Sequence, residues 1–250
     1  AISAPSDANF FAIPHAIDRS LATPITKPFL PFIIILTLKR INLYVNMTYI
    51  HYIINRLKNM KENLNLLNIS DDPFQLFAKW FEEASIKEIN DPNAMNLSTI
   101  SSDLKPSSRM VLLKDYNQDG FVFYTNINSK KGESININPY VSLNFHWKSL
   151  LKQVRIEGKA SIVSNKEADE YYNTRPKESR IGAWASKQSK ELKERKVLED
   201  SIKFYDNKFQ NESIKRPENW TGYRVKPKLI EFWQDMPFRL HDRLEFIMVN

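Results

Sequence analysis

The run RMVLLKDYNQDGFVFYT, residues 109–125, decides how the fold is read. Two apolar stretches, 109–114 and 121–125, flank a polar segment, 115–120, that ends in Asp119-Gly120. Apolar runs on either side of an Asp-Gly turn signal predict a β-hairpin. Working outward, strand-like runs recur at 95–101, 141–147, 151–163, 223–233 and 239–249. Helical patterning is inserted at 129–138 and from 165 to about 210, with an interruption near Arg175-Pro176. Many strands in sequence with helices between them predict an α+β fold. Its β part is expected to be a closed antiparallel barrel, not a doubly wound sheet.

Upstream, Asp71-Asp72-Pro73 has the form of a helix start, with an acidic cap and proline in the first turn. Phe74, Phe77, Trp80, Phe81 and Ala84 then recur at helical spacing, a stripe best explained as core. Residues 1–59 have a different character, with Pro5, Pro14, Pro24, Pro28 and Pro31 around an apolar run at 29–38. That run is about half the length of a bilayer span and lies too deep for an ordinary signal peptide. Residues 1–59 are expected to be a poorly ordered or non-native extension, and residues 60–250 the functional domain. No membrane attachment is expected, and the cytoplasm is the default compartment.

Composition removes several chemistries. The chain has no cysteine, so disulfides, thiolate nucleophiles and cysteine-held metals are excluded. Its four histidines, His15, His51, His146 and His241, form no zinc-type spacing, and no metal is expected. The five glycines form neither GxGxxG nor GxxxxGK[ST], so any phosphate here is held by side chains. A net charge of +7 suits an anionic partner. Nucleic acid is not expected, because the notable cations sit in apolar strands and no nucleic-acid motif is present.

Four cationic clusters punctuate the strands. In the first, Arg109 and Lys114 have opposite strand parity, so either a bulge realigns them or they serve two ligands. In the second, Tyr124 and Thr125 end a strand, and Ser129, Lys130, Lys131 and Gly132 open a helix, a good anion site. In the third, Tyr171 and Arg175 share a helix face, and Ser179 follows close enough to converge on one phosphate. In the fourth, Arg239, His241 and Arg243 alternate, so a regular strand would turn all three to one face.

The ordered series R-x-V-L-L-K, F-Y-T-N with S-x-K, Q-V-R-I-E-G, T-R-P, I-G-A-W-x-S-x-Q-S, I-E-F-W-Q and R-L-H-D-R runs from about Asp72 to Arg243. It resembles the pyridoxamine 5′-phosphate oxidase family. The resemblance implies an FMN-binding split β-barrel with peripheral helices. It also implies a homodimer whose flavin sites are shared between subunits. By match to the family's motifs, Arg109, Met110, Val111, Leu112, Leu113, Lys114, Tyr124, Thr125, Lys130, Lys131, Gln153, Gln188, Ser189, Trp233 and Arg243 are expected to contact FMN. Lys114, Tyr171, Arg175 and Ser179 are expected to hold the substrate phosphate. Arg239, Leu240 and His241 are expected over the substrate ring, with Arg239 and His241 as catalytic residues. The implied reaction oxidises pyridoxamine or pyridoxine 5′-phosphate to pyridoxal 5′-phosphate, with O2 as acceptor and hydrogen peroxide released.

Two departures stand out. Lys130 stands where the family commonly has Arg, which keeps the charge but loses the fork. The ending at residues 244–250 lacks the family's terminal Arg-Leu-x-Pro, which implies a shortened last strand. Two rivals remain open at this point. One is a reductase on the same barrel, which would not need Arg239, His241, Arg175 or Ser179. The other is a non-catalytic carrier of flavin or pyridoxal phosphate.

Overall fold

A computed structural model of the protein describes residues 72–248. The expectations for residues 1–59 fall outside them. Helix α1 (Pro73–Lys87) begins as its sequence dictates: the Phe74 N–H donates to Asp72 Oδ1 at 2.8 Å and Pro73 fills the first turn. The cap satisfies a donor with no intrahelical partner, and proline there costs none. Phe74, Phe77, Trp80 and Ala84 are buried as the spacing predicts, joined by Leu76. The Phe77 ring meets Tyr116, Phe121 and Phe145 edge-on at 4.9, 4.9 and 5.3 Å. Each such buried aromatic contributes on the order of 2–3 kcal/mol by removal from water.

The chain continues through β1 (Ala94–Ile100), β2 (Pro106–Leu112), β3 (Asp115–Asn117), β4 (Gly120–Asn126), α2 (Lys130–Ile137), β5 (Tyr140–Trp147) and β6 (Lys152–Ile162). Helices α3 (Asn165–Thr174), α4 (Lys177–Ala185) and α5 (Arg195–Lys208) lead to β7 (Trp220–Gln234) and β8 (Asp242–Ile247). Pairing is antiparallel throughout, in the order β2-β1-β5-β6-β7-β4-β3. Strand β8 takes the C-terminal half of β7, where β4 leaves off.

The first and last strands of that order are consecutive in the chain, with only Leu113 and Lys114 between them. The Leu113 N–H donates to the Asn93 carbonyl at 2.8 Å, beside β1. The Lys114 N–H donates to the Val122 carbonyl at 2.8 Å, on β4. The backbone therefore changes partner between adjacent residues, and the sheet closes into a barrel. The partner change falls between Arg109 and Lys114, so strand parity alone does not relate the directions of the two side chains. A bulge does occur elsewhere. Glu157 pairs with Leu229 and Gly158 with Pro227, which leaves Lys228 as an extra residue. A Cβ on Gly158 would lie 2.2 Å from the Lys226 carbonyl oxygen, so only glycine allows this approach.

The predicted hairpin exists, but its polar arm already forms β3, and the turn tightens to Gln118-Asp119. The predicted helical stretch breaks twice, at Arg175-Pro176 and again at 186–194. The predicted strand at 239–249 requires correction. A 3₁₀ turn occupies Pro237–Arg239, with Phe238 and Arg239 both left-handed at φ 58° and 61°, and β8 begins only at Asp242. Arg239, His241 and Arg243 therefore do not alternate along one strand face. Among the described residues no helix is long and apolar enough to cross a membrane.

Candidate active site

A cavity of about 460 Å³ opens where the β2 seam, the end of β4, the start of α2 and the α3–α4 corner meet the start of β7. It gathers Met110, Val111, Leu112, Lys114, Tyr124, Thr125, Lys131, Tyr171, Arg175, Ser179 and Gln188 from the expected set. Thr174 and Pro176, which flank Arg175 in the T-R-P block, and Trp220, which lies outside every quoted motif, complete the wall. Trp220 was missed because Pro217 and Asn219 mask the strand start; extending the 223–233 run backward would have found it. Among the described residues no acidic side chain lines the cavity.

Lys131 is fixed by local chain geometry. Ser129 caps α2, its Oγ accepting from the Gly132 N–H at 3.4 Å. The same Oγ accepts from Lys131 Nζ at 3.2 Å, and Nζ also donates to Thr125 Oγ1 at 3.0 Å and Gln188 Oε1 at 2.9 Å. Lys131 is only 9% exposed. Burial, reinforced by the charge of Arg109, lowers its pKa to about 8. Arg109 does not line the cavity. Its Nη1 donates to the Leu97 carbonyl at 3.1 Å and Thr99 Oγ1 at 2.8 Å, which holds the guanidinium against the barrel.

Arg175, also in the cavity wall, is the C-cap of α3 and is half-buried. Burial lowers its pKa, and its Nη1 is buried without a hydrogen-bond partner. None of Arg109, Lys114, Lys131 and Arg175 has a carboxylate partner among the described residues. Lys114, Lys131 and Arg175 line the cleft, and cations gathered there without counter-charge produce a field suited to a phosphate dianion. Tyr124, Tyr171 and Trp220 form a ladder of near-parallel rings, with Tyr124 4.0 Å from Tyr171 and 5.2 Å from Trp220. Gly222 pairs with Tyr124 across β4–β7, and a Cβ there would come 2.8 Å from the Tyr124 ring. Burial, then the charge of Glu167, pushes the Tyr124 hydroxyl up to about 12, so it remains a protonated donor.

The other expected residues lie elsewhere. Gln153, Trp233 and Arg243 form one row across β6, β7 and β8 by register. The Trp233 ring packs 4.6 Å from the His241 ring, and His241 Nδ1 sits 2.9 Å from Asp235 Oδ1. Arg155 Nη2 and Arg243 Nη1 donate to Glu231 Oε2 at 3.1 and 3.0 Å. Burial alone would raise the pKa of Glu231, but the hydrogen bond and charge of Arg155, with those of Arg243, hold it below the ordinary value. Arg239 and Leu240 are exposed on the left-handed turn, Lys130 and Ser189 are exposed, and Leu113 is buried in the barrel. The row at Trp233 and the cavity at Trp220 stand at opposite ends of the 15-residue β7. That is on the order of 40 Å of strand contour, so the expected set divides into two groups within one chain.

Residues 81–207 match the family model described as pyridoxamine 5′-phosphate oxidase. Residues 220–248 match that of the pyridoxine 5′-phosphate oxidase C-terminal dimerisation region. A pyridoxine/pyridoxamine 5′-phosphate oxidase of Bartonella henselae is 58% identical over 174 residues, covering 70% of this chain and 84% of its own. Its namesake from Pelagibacter ubique is 54% identical over 176 residues, covering 70% and 85%. Among solved structures, PhzG of Burkholderia lata, in complex with tetrahydrophenazine-1-carboxylic acid, matches at 27% identity and TM-score 0.69 over 73% of this chain and 89% of that chain. An FMN-binding protein of Nostoc punctiforme, at 12% identity and TM-score 0.52 over 73% and 100%, shares the fold.

Proposed function

This chain belongs to the pyridoxamine 5′-phosphate oxidase family, and on that footing we propose that it oxidises pyridoxamine or pyridoxine 5′-phosphate to pyridoxal 5′-phosphate with FMN as cofactor. It does so as a homodimer, through a C-terminal region of the kind matched at residues 220–248. The observation that carries the reading is the cavity lined by Lys131 and Arg175, with no acidic side chain among its described lining residues and neither cation paired to a described carboxylate.

The residues present fit two phosphorylated ligands. Lys131, with Thr125, Ser129 and Gln188 already gathered around its ammonium, would hold the FMN phosphate. Arg175, Ser179, Tyr171 and Lys114 would hold the substrate phosphate, whose oxygens offer the unpartnered Nη1 its acceptors. When bound, FMN supplies the two-electron acceptor, and O2 takes those electrons on to hydrogen peroxide. The protein's part is to anchor the phosphate, so that remote binding energy places the reacting carbon.

Gln153, Trp233, Arg239, Leu240, His241 and Arg243 reach the ligands from the partner protomer in this proposal. Their distance along β7 from the cavity supports that division. Arg239 would then position the leaving amine or hydroxyl, and His241 would orient the substrate ring. Lys130, Ser189 and Arg109 act at the rim or beneath the phosphate. The cytoplasm is the proposed compartment, which the lack of cysteine fits.

Peroxide release from the purified yellow protein tests the reading. Turnover is expected with pyridoxamine 5′-phosphate and not with pyridoxamine. A colourless protein that cannot be reconstituted with FMN would refute it.

A further inference from the structure

We infer that Trp220 is a positioning residue that holds the Arg175 guanidinium in place for the substrate phosphate without consuming its donors; this rests on the phosphate role proposed for Arg175. A buried arginine is ordinarily oriented by a carboxylate or by carbonyls, and either would occupy N–H groups and offset charge. Arg175 has neither. Its Cζ lies 4.7 Å over the Trp220 ring and 5.8 Å from the Tyr172 ring, and its buried Nη1 has no partner. An aromatic face attracts the cation through its quadrupole and fixes the guanidinium plane, while the in-plane N–H groups stay available.

Trp220 is itself firmly held. It is 7% exposed and opens β7 opposite Asn126. Its carbonyl accepts from Arg216 Nη1 at 2.7 Å, and its N–H donates to the Pro217 carbonyl at 3.0 Å. Tyr124 stacks on it at 5.2 Å, and Tyr172 meets it edge-on at 5.1 Å. Arg175 needs such a support, because its extended cap backbone precedes Pro176 and the adjacent helical turn offers it only the more distant Tyr172 ring. A free fork meeting a dianion gains two charge-assisted bonds; one already paired to a carboxylate would gain little.

The test is a double-mutant cycle on FMN-loaded full-length protein with Trp220→Leu, Trp220→Phe, Arg175→Lys and the Leu/Lys pair. The readouts are kcat and KM for pyridoxamine 5′-phosphate, competitive inhibition by inorganic phosphate, and flavin content per chain. Trp220→Leu is expected to raise KM and the phosphate inhibition constant roughly tenfold, within the range of a desolvated cation–π contact. It should leave kcat and flavin content within about twofold, and Trp220→Phe should fall between. In the Arg175→Lys background the Leu substitution should add less than about twofold, because its effect runs through the lost guanidinium. Full additivity, or a wild-type KM in Trp220→Phe should the Leu variant not fold, overturns the inference. Arg175→Lys with unchanged KM and unchanged phosphate inhibition would overturn the phosphate role of Arg175, and the inference with it.

Discussion

Replacing Lys131 with Met should make the cofactor-free protein more stable at pH 7 and less able to bind FMN. The fall of the Lys131 pKa from 10.5 to about 8 corresponds to about 3 kcal/mol against the charged form at neutral pH. In the window between about 8 and 10.5 the unfolded chain keeps the proton and the folded chain has shed it. Stability of the cofactor-free protein should therefore rise with pH across that window, where unfolding takes up protons. Methionine has a similar length and no charge. It forfeits three Nζ hydrogen bonds. The acceptors keep other partners: Ser129 Oγ donates to the Asn126 carbonyl at 2.7 Å, and Thr125 Oγ1 donates to Gln188 Oε1 at 3.1 Å. With each acceptor still partnered, each lost bond counts at the low end, about 0.5 kcal/mol, so the three offset about 1–2 kcal/mol, which leaves a net gain of about 1–2 kcal/mol at pH 7. For a domain of this size that is a melting-point rise of about 4 °C. Near pH 10.5 the charge penalty is gone, and the same variant should melt below wild type. FMN affinity should fall about 10–100-fold, the value of a charge-assisted bond, while riboflavin, which lacks the phosphate, binds equally well to both. Melts of the cofactor-free protein at pH 7 and about 10.5, with flavin-fluorescence titrations, read all of this. A variant that melts lower than wild type at pH 7, or that loses riboflavin and FMN alike, would refute the reasoning.

Gly222→Ala puts a methyl 2.8 Å from the Tyr124 ring, so it should destabilise by about 1–3 kcal/mol and raise KM as the ladder shifts, checked by melts and kinetics. Glu231→Gln removes the carboxylate shared by Arg155 and Arg243, at a cost of about 2–3 kcal/mol, at the low end because Arg243 is 60% exposed. Since the Glu231 pKa is held below its usual 4.5, its stabilisation is present above that value and lost as pH falls through the lowered one; acid titration should show this fall in wild type and not in the variant. Asp235→Asn weakens the 2.9 Å contact that, together with the Met236 N–H donating to His241 Nδ1 at 3.2 Å, orients the His241 ring, and should lower kcat about tenfold, the scale of one hydrogen bond, with phosphate inhibition unchanged.

Local signals were the legible part of the sequence. The Asp72-Pro73 start of α1 needs only neighbouring residues, as does the Ser129 cap that places Lys131, and both are seen. The convergence of Lys131 with Arg175 was legible only as a motif series, since no period reports which loops share a rim. Two features resisted reading because each depends on distant or unusual backbone. The partner change at Leu113–Lys114 joins Asn93 on one side to Val122 on the other. The left-handed pair Phe238 and Arg239 carries no glycine to announce it. Its neighbour Pro237 was the available hint that the strand starts later.

The seam at Leu113–Lys114 ties the integrity of the container to that of its contents. Most sheets keep two free margins, which can slip or recruit foreign strands; here the two margins of the main ring are one covalent ribbon, and that ribbon carries Lys114 into the cavity wall. A nick at this single link would unclasp the cylinder and withdraw a binding wall in the same event. Protease sensitivity there should track ligand release, and ligands that bridge the ribbon to the α3–α4 corner should act as a clasp.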